Sequence, residues 1–141
     1  MSKINYQSLV DACNTCILSC QACIKACEHS ASVCPNDTMC EATRMSNCTD
    51  RCKECIEACR VCIKECNTVL EQARTQGHDD YVQILQQCIK DCGECIKACE
   101  NTIDKCSSNL GCSQACKLCV DACNLCISSC DTCIEEINNK K

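Results

Sequence analysis

The sequence predicts an all-α protein, an antiparallel up-down-up-down four-helix bundle with a cysteine-lined core, and three observations carry that prediction. Its cysteines recur at alternating steps of three and four, the spacing that keeps side chains on one stripe of an α-helix. Short turn-forming segments interrupt these stripes at three places, so consecutive helices become antiparallel neighbours. Alternation of apolar residues at period 2, the signature of a strand, occurs nowhere. A chain of 141 residues is one domain's worth of sequence, and a single domain over 1–141 is expected.

The first helix is expected over 5–32. It carries Cys13, Cys16, Cys20, Cys23 and Cys27, and Cys34 continues the stripe. Cys34-Pro35-Asn36-Asp37 ends it, with Asp37 suited to cap the next helix. The second helix is expected over 38–74 and carries Cys48, Cys52, Cys55, Cys59, Cys62 and Cys66. Its beginning is blurred by Cys40, the one cysteine out of phase, which leaves 38–47 open to forming a separate turn. Thr75-Gln76-Gly77-His78-Asp79-Asp80 leads into a third helix over 79–106, with Cys88, Cys92, Cys95, Cys99 and Cys106. Ser107-Ser108-Asn109-Leu110-Gly111 leads into a fourth over 110–137, with Cys112, Cys116, Cys119, Cys123, Cys126, Cys130 and Cys133.

Written as heptads, all of these except Cys40 occupy a or d positions. Ile17, Ile24, Ile56, Ile63, Ile89, Ile96, Ile127 and Ile134 each follow a d-position cysteine, and Ala12, Ala26, Ala58, Ala98, Ala115 and Ala122 each precede an a-position one. The apolar face therefore covers a, d, e and g, wide enough to pack against two neighbours. Cys23-Ile24-Lys25-Ala26-Cys27-Glu28 recurs as Cys95-Ile96-Lys97-Ala98-Cys99-Glu100, which suggests two similar helical hairpins.

Composition narrows the function. Cysteine makes up 25 of 141 residues, about 18%, a level that marks a disulfide or metal framework. With no Trp, no Phe and only two Tyr, aromatic platforms for bases or sugars are excluded. A net charge of −5 argues against nucleic acid and anionic membranes as partners. The first residues show no signal-peptide pattern and no apolar run reaches 18 residues, so a cytoplasmic location is expected, where thiols stay reduced. At this density, reduced thiols read as metal ligands.

Twenty of the cysteines form ten Cys-x-x-x-Cys pairs. Residues i and i+4 of a helix hold their Cβ atoms about 5–6 Å apart, whereas a disulfide needs about 3.8 Å. A metal bound by two thiolates at about 2.3 Å each spans that gap. A bare thiolate in an apolar bundle is costly, so each must be protonated or compensated, and one monovalent ion per thiolate leaves the core neutral. Zinc prefers a closed set of four ligands, while soft thiolates also select Cu(I), which accepts two. The compact loop spacings of iron–sulfur ligands do not occur.

Ten such pairs in phase on four helices resemble the bacterial four-helix-bundle copper storage proteins, over about residues 5–137. The resemblance, to the cytosolic branch of that family, implies storage of multiple Cu(I) ions on the core cysteines, often in a homotetramer. The reading is therefore copper homeostasis, with a copper chaperone or a low-molecular-weight thiol expected as donor. Two histidines off the stripe do not supply bases for so many thiols, so an enzyme is not expected. The rival readings are a zinc- or cadmium-binding detoxification protein of metallothionein-like role and a disulfide-stapled scaffold. The bland reading of the stripe, cysteine as a small core hydrophobe, gives no reason for Cys over Ala or Val at so many positions in phase.

The two ends of the bundle differ. Tyr6, Leu9, Val69, Ala73, Tyr81, Leu85 and Ile137 should form an apolar plug at one end. Cys34, Cys40, Cys106 and Cys112 gather at the other, with His29, Met39 and Met45 nearby as candidates to admit metal, since thioether and imidazole also hold copper. Ordinary packing explains the two methionines equally well, and His29 and His78 also read as solvated surface residues.

Overall fold

The computed structural model describes residues 4–33, 42–77, 79–108 and 112–139, and the side chains of all of these except 31–33, 42–46, 107, 108 and 112. Among the described residues there are four α-helices: α1 (Tyr6–Val33), α2 (Ala42–Thr75), α3 (Val82–Ser108) and α4 (Cys112–Asn139). No strand occurs among the described residues. Asn5 begins α1, its Oδ1 accepting from the Ser8 backbone N–H at 3.3 Å, an N-cap that satisfies one orphan donor of the first turn. The turn after α2 closes through Gln76 N–H to Gln72 C=O (3.0 Å) and Gly77 N–H to Arg74 C=O (3.3 Å). Gly77 has φ 73°, a left-handed conformation that glycine adopts without a Cβ penalty, so it terminates α2.

The start of α3 differs most clearly from expectation, while α3 and α4 each run two residues further than expected, to Ser108 and Asn139. The spacing predicts α-helix from residue 79, but Asp79–Tyr81 is a single 3-10 turn and α3 starts at Val82. Tight turns of this kind are frequent at helix N-termini, and aspartate is a better starter than interior residue. The expected cap at Asp37 and Cys40 itself lie outside the described residues, while 42–47 of the stretch left open to a separate turn belong to α2.

Register follows from the sulfurs. As the residue number rises along α1 through Cys13, Cys16, Cys20, Cys23 and Cys27, the facing cysteine of α2 falls through Cys62, Cys59, Cys55, Cys52 and Cys48. The same opposition relates α3 to α4, from Cys88–Cys130 to Cys99–Cys119. Across the bundle, α1 and α3 run parallel, their facing cysteines 75 and 76 residues apart. Each helix packs mainly on two neighbours, α1 and α3 both lying between α2 and α4. This is the predicted up-down-up-down bundle.

Its seams mix branched, small and polar side chains. Branched side chains line two of them, with Ile56 and Ile103 between α2 and α3 and Val120 between α1 and α4. Small and polar groups join Val61 and Ile84 in the others. Ala12 and Ala58 lie between α1 and α2, and Ser129 donates to the buried Asp91 carboxylate across α3 and α4, where Gln87 also donates at 3.1 Å.

The apolar plug forms as the stripe predicts. Leu9, Val69, Ala73, Tyr81, Leu85 and Ile137 are buried and Tyr6 is half-buried, its ring centroid 5.5 Å from that of Tyr81. Beyond it, along the bundle axis, the core is largely sulfur, so this cluster carries much of the conventional hydrophobic packing. Leu9→Ala is therefore expected to cost about 2–5 kcal/mol, the range for deleting a fully buried leucine. Guanidinium unfolding of the metal-free reduced chain measures it, and an unchanged midpoint would show that this end is not packed.

Candidate metal centre: a column of thiols

The a/d periodicity aims four stripes at one axis. All 22 cysteines with described side chains are free thiols and buried, Cys133 reaching 1% exposure and the rest 0%. Neighbouring sulfurs lie 3.5 to 4.0 Å apart, as in Cys92–Cys126 (3.5 Å), Cys95–Cys123 (3.6 Å) and Cys23–Cys99 (4.0 Å).

The sulfurs group in fours, each group with all its Sγ atoms within 4.8 Å of one another. One group is Cys16, Cys59, Cys92 and Cys126, one residue from each helix at one level. Another is Cys16, Cys62, Cys92 and Cys130, which takes α1 and α3 from that level and α2 and α4 from the next. The pattern repeats with Cys13, Cys62, Cys88 and Cys130 on one side, and with Cys20, Cys59, Cys95 and Cys126 and then Cys20, Cys55, Cys95 and Cys123 on the other. Crossed pairs thus alternate along the axis, α1 with α3 and then α2 with α4, each a half-step further on. Cys16, Cys20, Cys59, Cys62, Cys92, Cys95, Cys126 and Cys130 each belong to two of these groups.

Protonation in this column is collective. Cys123, Cys126, Cys20 and Cys55 direct S–H groups at Cys95 and hold its pKa well below the ordinary thiol value. Cys99 is pushed far above it by its hydrogen bonds to Cys119 and its other neighbours, and Cys130 likewise by those to Cys126, with burial adding in the same direction. One thiolate amid S–H donors is favourable. A second beside it, in a dry core, is not, so the remaining neighbours keep their protons. A cation placed among the sulfurs removes that conflict, and these buried groups could hold metal ions.

The column ends differently at its two extremities. Towards the plug, Cys133 directs its thiol to the Ile84 carbonyl at 3.8 Å, and Cys66 is pushed up chiefly by its hydrogen bond to Cys13. At the other end, two positions on the stripes are hydroxyls: Ser30, 2% exposed, and Thr102, fully buried. Thr102 Oγ1 donates to the carbonyls of Ala98 (2.8 Å) and Ala115 (3.2 Å). The signal for both was present in the seven-residue gaps Cys27 to Cys34 and Cys99 to Cys106, each spanning an unfilled d position.

Cys106 is buried, as predicted for that end, and His29 is exposed on α1. Cys112 and Met45 lie in α4 and α2, their side chains outside the described set, while Cys34, Met39, Cys40 and His78 lie outside the described residues altogether. The sequence repeat is out of register with the levels. Cys95 repeats Cys23, yet it faces Cys20 at 3.9 Å, while Cys23 faces Cys99. The repeated segments of the two hairpins are thus offset by one thiol level along the axis.

Among the described residues no helix is long and apolar enough to cross a membrane. Compared with family models, curated proteins and solved structures, the chain matches none of them.

Proposed function

We propose that this chain sequesters and stores many Cu(I) ions on the thiolates of its bundle core, without turnover. The observation that carries the reading is the overlap of the four-sulfur groups. Where each sulfur belongs to two adjacent groups, each thiolate can bridge two ions, and two-coordinate ions with bridging thiolates give about one ion per thiolate. One Cu(I) per thiolate is also the loading that leaves a dry core neutral. The resemblance to the copper storage family supports the same reading, and with it a cytoplasmic location, a small thiol or copper chaperone as donor, and a homotetramer.

A zinc- or cadmium-binding role is favoured by one observation. Four sulfurs about a metal at about 2.3 Å stand about 3.8 Å apart, within the spread of contacts in the column. The charge opposes it. A divalent ion in its own set of four thiolates leaves two negative charges, and stacking such sets along one axis places uncompensated anions against one another.

Anaerobic titration of the reduced chain with Cu(I) in competition with a strong chelator, with metal and protein quantified together, tests the proposal. Saturation approaching one copper per cysteine is expected. Uptake of only a few Cu(I) ions, or saturation near one divalent ion per four cysteines with zinc preferred, would refute it. Loading should also release protons, because each bound thiolate gives up its own.

A further inference from the structure

The stripes are not uniform along the axis. The fixed offset between α1 and α3 places Thr102 level with Cys27 and Cys106 level with Ser30. At these two successive levels the crossed pair of α1 and α3 therefore consists of one thiol and one hydroxyl. In the interior it is two thiols, as at Cys20–Cys95 and Cys23–Cys99. At the first of these levels three sulfurs remain beside Thr102, with Cys23 next to Cys27 at 4.0 Å on the inner side and Cys106 hydrogen-bonded to Cys48 on the outer side. Cys48 lies 3.7 Å from Cys27 and 3.7 Å from Cys116, and Thr102 closes the layer through its hydrogen bond to Ala115, the residue before Cys116.

We propose that Cys27, Cys48 and Cys116, closed by Thr102, form the exchange layer of the column, a site one sulfur short from which metal is handed out ahead of the all-thiol interior. The inference rests on the storage reading above and adds to it the place where the store turns over. An alcohol oxygen is a hard, neutral donor, and a soft monovalent ion gains little from it in place of a thiolate. An ion at this layer thus lacks the bridging sulfur that Cys95 or Cys99 supplies further in. The opposite end offers no competing route, since Leu9, Leu85 and Ile137 fill it. Exchange here changes no oxidation state. Cu(I) leaves with its charge, and the thiolate left behind takes a proton from solvent.

The test loads wild type, Thr102→Cys and Thr102→Val with Cu(I) anaerobically and follows release to excess bathocuproine disulfonate by absorbance. Wild type is expected to release a fast fraction ahead of a slow one. T102C should slow that fraction about 10-fold or more, the lower end of what altering a metal ligand's partners costs. T102V, which removes the hydroxyl without adding sulfur, should keep it. Release from T102C at the wild-type rate, or loss of the fast fraction in T102V, would overturn the proposal even with normal loading. Failure of wild type to load at all would overturn the storage reading and this proposal together.

Discussion

Filled with Cu(I) under anaerobic conditions, the chain is expected to resist unfolding by guanidinium far beyond its metal-free form. The reason is mass action on a folded-state-only array. The unfolded chain has the thiols but not their convergence, so binding favours the bundle. Each ion held at 100 times its dissociation constant adds about 2.7 kcal/mol. Four such ions would contribute about 11 kcal/mol, comparable to the whole stability of an ordinary domain. Circular dichroism of the helices against denaturant, with and without metal, measures the effect. Coincident unfolding curves would show that the thiols bind no better when gathered than when dispersed, and the column would lose its functional meaning.

The second large effect is on pH, and it has opposite signs in the two forms. In the metal-free bundle, thiols such as Cys99, Cys130, Cys59 and Cys27 have their pKa pushed above the unfolded value by hydrogen bonds to neighbouring sulfurs and by burial. A group whose folded pKa is raised stabilises the fold fully below its unfolded pKa and loses that contribution as pH rises above it. Above the ordinary thiol pKa of about 8.5 these thiols therefore ionise in the unfolded chain while they keep their protons in the bundle. Each such thiol removes about 1.4 kcal/mol of stability per pH unit in that window. Several acting together should make the reduced, metal-free protein melt well below its neutral-pH temperature by pH 10. Metal loading inverts the dependence, since protons compete with the ions for sulfur and acid favours their release. A metal-free melting temperature that stays level or rises from pH 8 to 10 would contradict the collective protonation of the column.

How much of this was legible beforehand is clearest from particular positions. The stripes at Cys13–Cys27 and Cys116–Cys133 predict both the helices and their buried face, because a step of three or four admits no other regular backbone. The plug at Leu9, Val69 and Ile137 was legible for the same reason. The interleaving of levels was not. Whether Cys23 faces Cys95 or Cys99 depends on how α1 and α3 are offset along the axis, which no spacing within one helix encodes. The internal repeat does not encode it either, since likeness of sequence is not equality of height. Thr102 went unread because a hydroxyl in a cysteine stripe looks like an ordinary interruption until its neighbours are known. Asp91 likewise shows its partners, Ser129 and Gln87, only once α3 and α4 are side by side.

The pairing of Tyr6 with Tyr81 has a practical consequence. These are the only fluorescent side chains in a sequence without Trp or Phe, and both stand at the closed extremity. Ultraviolet emission from this protein is thus a local reporter of that extremity alone. The absorption of metal–sulfur bonds can be followed along the remainder of the axis against an almost transparent polypeptide.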